Sequence, residues 1–468
     1  MVSTEKLDTH RKALTLNLDA STFGSFAEIG AGQEVARWFL FVGGASGTVA
    51  KTISAYDKEV SDSLYGHGSR YVSRERLEAM LETEWVQLLA QLERSRGKDK
   101  RFFSFVDTVS ARNYAGTNNA HGWLGVRFQS RPGGKPSDIL LHINLRDSSN
   151  VLQQEAIGML GVNLLYAAFY QLETKESFFS GLAQDVVRER IEIDCVDFRG
   201  PAFESWDRST ILAHLVHAGL ADAVCFVPSG KPLPPDELLH NKAVVLAPGY
   251  FGHVDSVHAQ IHTQLLAAGT RELRRELGET ASAPIGGFCL SAAPITAQDS
   301  NREITDLVTR INALLAQGGN VLLFRERELY GMTALVNRHT KAPVRFIAGL
   351  SLLIQAFHDP YFSLEGRLLE ALARLLAQNV RVYAYPMNAR DLEQTAKQLS
   401  PIDLGWTDRD GSVSAEQLRF TPPLAHLYAY LLASKFIVPV RVLPESPDAK
   451  NHLVPESKHE PTDGVCCA

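Results

Sequence analysis

The sequence lacks the features that mark secreted and disulfide-stabilised proteins. It has only five cysteines: Cys195, Cys225, Cys289, Cys466 and Cys467. They form no C-x-x-C pair and no Cys/His ligand spacing, so we expect free thiols in a reducing compartment. The segment from Met1 to Leu14 is polar and charged and contains no apolar stretch of a secretory signal.

Long hydrophobic runs are also absent. The longest apolar stretches, such as Trp38 to Val42 and Val344 to Leu353, are too short or too interrupted to span a bilayer. With the missing signal segment, this predicts a cytoplasmic protein that has no membrane partner.

There is no excess of basic residues. The chain has 47 Lys and Arg against 53 Asp and Glu, a formal net charge of -6. A dedicated nucleic-acid-binding protein usually carries a strong basic excess, so no nucleic-acid partner is expected. A small anionic ligand is still compatible with this charge, because a pocket needs only two or three local cations.

Several catalytic and phosphate-binding motifs are missing. No G-x-S-x-G nucleophile elbow occurs. The glycine-rich segment from Gly30 to Gly47 lacks the third glycine of a dinucleotide motif, and Lys51-Thr52 does not directly follow a glycine as a P-loop requires. Close packing of small residues is therefore the favoured interpretation of this segment, and a phosphate site the alternative.

The N-terminal part predicts an α+β domain over residues 1–190. Ser73 to Glu93 has apolar residues at helical spacing, and a second helical pattern runs from Val49 to about Leu64. In Leu124 to Gln129 and Leu141 to Arg146, apolar and polar residues alternate, which is typical of strands with one buried face. These strands predict an antiparallel sheet.

From Ile191 the pattern changes to alternating strands and helices. Such alternation is typical of a parallel sheet covered by helices, and it predicts a Rossmann-like α/β domain over residues 191–443. The polar, proline-containing segment 444–468 is expected to be disordered. The fold class is therefore α/β, with antiparallel strands in the N-terminal part.

Polar residues on the predicted antiparallel strands form one candidate cleft. The residues that could line the cleft are Arg112, Asn113, Asn118, Asn119, His121, Arg127, His142, Asn144 and Arg146. The last four of them fall on the positions between the apolar ones. Such residues are more often the solvated face of a sheet, and we favour that interpretation.

A stronger candidate site follows the buried strand Ala243 to Ala247. A strand, a glycine turn and a helix N-terminus form the arrangement in which α/β sheets hold phosphates. We expect a nucleotide site in which His258 is catalytic, donating to a developing pyrophosphate. The expected nucleotide-binding residues are Gly249, Phe251, Gly252 and His253.

Two other interpretations of this segment stay open. It can be an ordinary connection between a strand and a helix. His253, Asp255, His258 and His262 can also supply zinc ligands, since His258 and His262 lie four residues apart.

Three segments carry a resemblance to a known family: Leu16 to Phe39, Gly43 to Asp57 and Arg70 to Leu77. The chain, as far as about Tyr430, resembles a bacterial family whose members are often labelled nicotinate-nucleotide adenylyltransferase.

The resemblance implies transfer of an adenylyl group with ATP and Mg²⁺ as cofactors. Gly249 and Phe251 match the G-x-F motif of such enzymes, and His258 falls at the final histidine. Asp255 and Val257 depart from the motif. The alternative hypothesis is a non-catalytic scaffold or interaction protein that forms a homo-oligomer.

Overall fold

The computed structural model describes residues 7–252, 256–278, 281–292, 300–358, 361, 363–399, 404–408 and 410–440. It divides into two compact units, and the division falls between Cys225 and Phe226. Two later segments, Pro232–Pro235 and residues 300–308, group with the first unit. The segment 444–468, for which disorder is predicted, lies outside the described residues.

The helices and strands of the first unit are α1 (Thr9–Leu18), β1 (Thr22–Ile29), α2 (Glu34–Phe41), β2 (Val49–Ile53), α3 (Lys58–Tyr65), α4 (Arg74–Arg96), β3 (Arg101–Ser110), β4 (His121–Gln129), β5 (Pro136–Leu145), α5 (Asn150–Tyr170), α6 (Lys175–Leu182), β6 (Ile191–Arg199) and α7 (Arg208–His217). Its sheet has the strand order β2-β1-β3-β4-β5-β6. β1 pairs in parallel with β2 and β3, and the strands from β3 to β6 are antiparallel. The predicted antiparallel strands are thus confirmed, within a mixed sheet.

Helix α4 begins where the sequence predicts and covers one face of this sheet. The side chain of Ser73 accepts a hydrogen bond from the backbone N–H of Arg76 and so caps the helix. Leu77, Met80 and Leu81 of α4 form one buried cluster with Trp123 and Leu140 of the strands. The helical spacing of these apolar residues therefore places α4 flat on the sheet.

Two features of the first unit differ from the sequence-based expectation. Residues Val49–Ile53, predicted as helix, form strand β2, because their β-branched side chains suit parallel pairing with β1. Ile191–Arg199, expected to open the second domain, is instead strand β6, paired with β5. The division consequently lies later in the chain than the predicted boundary at 190.

The elements of the later chain are β7 (Ala223–Phe226), α8 (Pro235–Leu239), β8 (Val244–Pro248), α9 (Ser256–Leu277), β9 (Ile285–Ser291), α10 (Ser300–Ala316), β10 (Asn320–Phe324), α11 (Leu329–His339), β11 (Val344–Gly349), α12 (Leu350–His358), α13 (Arg367–Leu375), β12 (Val380–Tyr385), β13 (Met387–Asn388), α14 (Ala389–Gln398), β14 (Leu404–Trp406), β15 (Ser412–Val413), β16 (Leu418–Phe420), α15 (Leu424–Ala433) and β17 (Ile437–Pro439). The large sheet has the order β17-β12-β11-β8-β9-β10-β7. Strands from β17 to β10 pair in parallel, which confirms the predicted parallel α/β part. Among the described residues, no helix is both long and apolar enough to cross a membrane.

A buried ion-pair cluster fixes the C-terminal end of α9 against β11 and β12. Arg345 of β11 is fully buried, and its Nη2 lies 2.6 Å from Oε1 of Glu276. Glu276 also accepts hydrogen bonds of 2.8 Å from Arg381 Nη1 and from the Tyr383 hydroxyl. The remaining guanidinium donors of Arg345 reach backbone oxygens of Val344 and Asn379. The buried charge is therefore fully hydrogen-bonded, as its burial requires.

We predict that Glu276→Ala destabilises the protein by about 3 kcal/mol, because it leaves the buried Arg345 charge uncompensated. Burial works against ionisation, but the hydrogen bonds and charges of Arg345, Tyr383 and Arg381 hold the pKa of Glu276 below its usual value. This stabilisation is present above the unfolded-state pKa of about 4.3 and is lost as the pH falls through the lower folded-state pKa. Urea unfolding at several pH values measures both effects.

Glu272→Ala provides the control on the same helix. Glu272 pairs with Arg275 on the surface, where an ion pair contributes at most about 1 kcal/mol. Equal losses for the two variants would contradict the proposed importance of the Glu276 cluster.

Candidate functional site

The order of the strands creates a switch point between β8 and β11. From β8 the chain proceeds through α9 to β9 on one side, whereas β11 continues through α12 and α13 to β12 on the other side. Neighbouring strands whose connections leave in opposite directions open a crevice at their carboxyl ends, where open α/β sheets bind ligands. The register pairs Phe346 with Leu246, so Gly249 and Gly349 follow at the same edge.

The loop after β8 contains the sequence-predicted residues. Gly249 donates its backbone N–H to the carbonyl of Cys289 at 3.1 Å, which holds the loop against β9. Phe251 is buried, with its ring 5.5 Å from that of Phe288 and 4.8 Å from that of His262. A Cβ at position 249 would lie 2.9 Å from this ring, so a larger residue there would displace Phe251. Phe251 thus anchors the loop through its ring.

The other predicted residues are only partly described. Gly252 is exposed and follows Phe251, whose backbone has a left-handed φ of 53°. His258 belongs to the first turn of α9, but its side chain lies outside the described part of the structure, as do His253 and Asp255. The nucleotide and zinc interpretations of these histidines stay predictions; among the described residues, no group of three potential metal ligands occurs.

An aromatic ring and a cation lie at the same loop. The side chain of Tyr250 is 65% exposed, and the guanidinium carbon of Arg310 lies 4.4 Å from its ring centroid. Arg310 Nη1 also donates to the Tyr250 carbonyl at 2.7 Å, which fixes the guanidinium at the loop. This combination can stack on a planar group and attract an anion.

Two neighbouring strand ends add further polar groups. The Ser291 hydroxyl at the end of β9 is buried and has no hydrogen-bond partner within the described residues. A buried unsatisfied hydroxyl is unusual and needs an explanation, such as a ligand. At Gly349 an added side chain would meet the Tyr385 hydroxyl at 2.6 Å. Burial raises the pKa of Tyr385 to about 12, so this phenol stays protonated.

In the first unit, a carboxylate binds the N-terminus of the helix that follows the glycine segment after β1. Glu28 accepts hydrogen bonds from the backbone N–H groups of Val35 at 3.0 Å and Ala36 at 2.8 Å. These are N–H groups of the first turn of α2, the position that a phosphate would otherwise occupy. A phosphate site at this helix terminus is therefore not supported.

A second buried carboxylate lies beside Glu28. Asp107 of β3 is the register partner of Glu28, and its Oδ1 accepts from the backbone N–H of Ile29 at 3.1 Å. Burial raises the pKa of Glu28 to about 7. The hydrogen bonds from the backbone of Ala36 and Val35 oppose this rise, and the charge of Glu34 adds to it. Burial and the Glu28 charge also raise the pKa of Asp107.

We predict that this pair makes the protein less stable as the pH rises from about 4.5 to 7. The folded state holds a proton that the unfolded chain releases in this window, so stability falls by roughly 1–3 kcal/mol. Asp107→Asn should flatten the fall and raise the stability at pH 8, because it keeps an acceptor for Ile29 and removes one charge. Urea unfolding between pH 4.5 and 8 tests this.

The matched control is Asp57→Asn at the exposed N-cap of α3, where asparagine caps as well as aspartate. It should leave the pH profile unchanged. A wild-type profile that is flat between pH 4.5 and 7 would refute the prediction.

The polar positions on the antiparallel strands are not a solvated face. Arg127 pairs with Asp138 through its Nε at 2.8 Å. His142 is 4% exposed, and its Nδ1 lies 2.6 Å from Oδ1 of Asp194. The Nε2 of His142 lies 3.3 Å from Nδ1 of His121, which is half-buried. The interpretation of His142 as solvent-facing is therefore wrong.

Asp194 was not identified among the candidate residues from the sequence. Its Oδ2 accepts a 2.7 Å hydrogen bond from Nδ2 of Asn144, so both carboxylate oxygens are used. The alternation of Glu192 and Asp194 with Ile191 and Ile193 was the available signal, since it places both acids on one strand face. The three cysteines that the structure describes, Cys195, Cys225 and Cys289, are buried and lie in no disulfide, as expected.

No protein-family model matches the sequence, and no curated protein matches it. Solved structures show limited similarity. The competence/damage inducible protein CihA from Agrobacterium tumefaciens is 18% identical, with a TM-score of 0.25, over 34% of this chain and 95% of its own. A competence-damaged protein (CinA) superfamily protein from Enterobacter cloacae is 14% identical, with a TM-score of 0.26, over 36% and 96%.

Proposed function

We propose that the second unit binds a nucleotide at the carboxyl edge of its parallel sheet. The observation that carries the proposal is the switch point between β8 and β11, which is the ligand position in open α/β sheets. The glycine-containing loop at this edge leads into α9, and a helix N-terminus favours phosphate groups.

The side chains at this edge suit both the base of a nucleotide and its ribose-phosphate part. The exposed ring of Tyr250 offers a surface on which a base can stack, and Arg310 supplies a positive charge beside it. The Ser291 hydroxyl, which has no hydrogen-bond partner in the described part of the chain, is available to a ribose or phosphate oxygen. No acidic residue occurs from Val244 to Gly252, so β8 and the first part of its loop bring no charge that would repel a phosphate; the nearest acid in the sequence is Asp255, directly before α9.

We predict that a nucleotide raises the thermal stability of the protein. At about 100 times its dissociation constant, a ligand that binds only the folded state adds about 2.7 kcal/mol. Thermal shift with ATP, ADP, AMP and nicotinate mononucleotide, each with and without Mg²⁺, identifies the ligand. Tyr250→Ala and Arg310→Gln should each weaken binding by about tenfold or more, the loss of roughly 1–2 kcal/mol of stacking or charge interaction.

Tyr430→Ala and Arg274→Gln are the matched controls, because both side chains are exposed on other surfaces of the second unit. They should bind as the wild type does. If no nucleotide changes the melting temperature, or if Tyr250→Ala binds normally, the proposal fails.

The finer proposal is transfer of an adenylyl group from Mg-ATP to a mononucleotide, with His258 assisting the departure of pyrophosphate. It predicts that His258→Ala binds nucleotide but releases no pyrophosphate. The alternative of a non-catalytic scaffold predicts the opposite result: no nucleotide effect, and a stable homo-oligomer in light scattering.

A further inference from the structure

The order of the strands in the second unit indicates where the ribose of a nucleotide would lie. Six strands of the large sheet have the order β10-β9-β8-β11-β12-β17, which in chain order is 3-2-1-4-5-6. Open sheets with this order bind nucleotides beside the first strand, with the ribose at the end of the second. A carboxylate at that end binds the free ribose hydroxyls, whereas a nearby arginine accommodates a phosphate on the ribose. The second strand here is β9.

The end of β9 carries a hydroxyl in place of a carboxylate. Its last residue is Ser291, whose buried hydroxyl has no hydrogen-bond partner within the described residues. The sequence has no acidic residue from Ile285 to Gln298, and the nearest acid, Asp299, directly precedes α10. Strand β9 therefore offers no carboxylate to the free hydroxyls of a ribose, and none that would repel a phosphate at its end.

An arginine follows the neighbouring strand beside this serine. Ser291 is the register partner of Phe324, the last residue of β10, and Arg325 comes directly after it. Neighbouring strands lie about 4.8 Å apart, a distance that an arginine side chain spans. Arg325 is exposed, and its guanidinium makes no ion pair or hydrogen bond with any residue that the structure describes. Its charge is therefore available to a ligand at the end of β9.

The segment after β10 also contains two acids, but they are less accessible than its arginines. Arg325 and Arg327 are exposed, whereas Glu326 and Glu328 are half-buried. Oε1 of Glu326 accepts hydrogen bonds from the backbone N–H groups of Arg327 at 2.9 Å and Glu328 at 3.2 Å. This carboxylate is thus bound to its own loop, and the surface of the segment is mainly positive.

We propose that the second unit takes a nucleotide that carries a phosphate on a ribose hydroxyl. Arg325 binds this phosphate, and the Ser291 hydroxyl donates a hydrogen bond to it. A guanidinium contacts two phosphate oxygens at once, which is why an arginine distinguishes a phosphorylated ribose from a free one. This inference rests on the nucleotide binding proposed above for the same unit, and it adds the class of nucleotide.

Titration calorimetry with AMP, ATP, 2′,5′-ADP and 3′,5′-ADP tests the proposal. One of the two bisphosphates should bind at least about tenfold more tightly than AMP, because hydrogen bonds to a charged group are strong. Arg325→Gln should abolish this preference, and Ser291→Ala should reduce it. Arg325→Lys should keep part of it, since lysine retains the charge without the planar fork. Arg274→Gln is the control, because Arg274 is exposed in the last turn of α9, away from the edge where the helix begins.

Equal affinities of the wild-type protein for AMP and both bisphosphates would overturn the ribose-phosphate site and leave nucleotide binding intact. If none of the four compounds binds, the function proposed for the second unit fails, and this site fails with it. If ATP binds as tightly as the better bisphosphate and loses as much affinity in Arg325→Gln, the arginine binds a phosphate chain, which also overturns the proposal. The wild-type comparison needs no variant to fold, and an exposed arginine without a partner can be replaced at little cost in stability.

Discussion

The return of the chain from β10 to β11 is the constraint on which the second unit depends. β11 pairs with β8 on the side opposite to β9, so β8 lies at the centre of the sheet and its neighbours connect outward in both directions. Covering helices can follow each half of the sheet, and the strand order places the point where the connections diverge between β8 and β11. The position of the crevice is thus a consequence of strand order and would survive substitution of any single loop residue.

This edge also requires α9 to lie in a fixed orientation, and buried charge supplies it. Glu276 near the end of α9 contacts Arg345, Arg381 and Tyr383 on two adjacent strands. A hydrophobic contact tolerates sliding of a helix, whereas hydrogen bonds of about 2.6–2.8 Å do not. The cluster therefore sets the register of α9 on the sheet, and with it the place where the helix begins beside the β8 loop.

The sequence predicts the larger features of the fold because they depend on periodic burial. The alternation in β4 and β5 and the helical spacing in α4 report one buried face each, and the structure confirms these elements. Val49–Ile53 shows where this reasoning fails. Five residues are too few for their hydrophobic periodicity to distinguish a strand from a helix. This segment forms a strand because it pairs with β1, a contact that the local sequence does not reveal.

The polar side chains of the first sheet show a second limit of sequence reasoning. Alternation assigns His142 to the face opposite Leu141, but it cannot say whether that face is covered. The structure buries His142 beside Trp123, and an irregularity of register after His142 brings Asp194 within hydrogen-bond distance. The spacing of apolar and polar residues in the sequence does not predict such an irregularity. The candidate loop after β8, by contrast, could be found because a strand, a glycine turn and a helix are contiguous.

The same local arrangement occurs in both units, but only in the first does the strand supply a carboxylate to the N-terminus of the following helix. In both, a buried strand leads through glycines to a helix. In the first unit, β1 carries Glu28, whose carboxylate binds the N–H groups at the start of α2. In the second, the sequence from Val244 to Gly252 has no acidic residue, so the strand cannot neutralise the helix terminus that follows it. An anion is therefore already part of the fold at α2, whereas β8 supplies none at α9, and this difference supports the proposal that an external phosphate binds in the second unit.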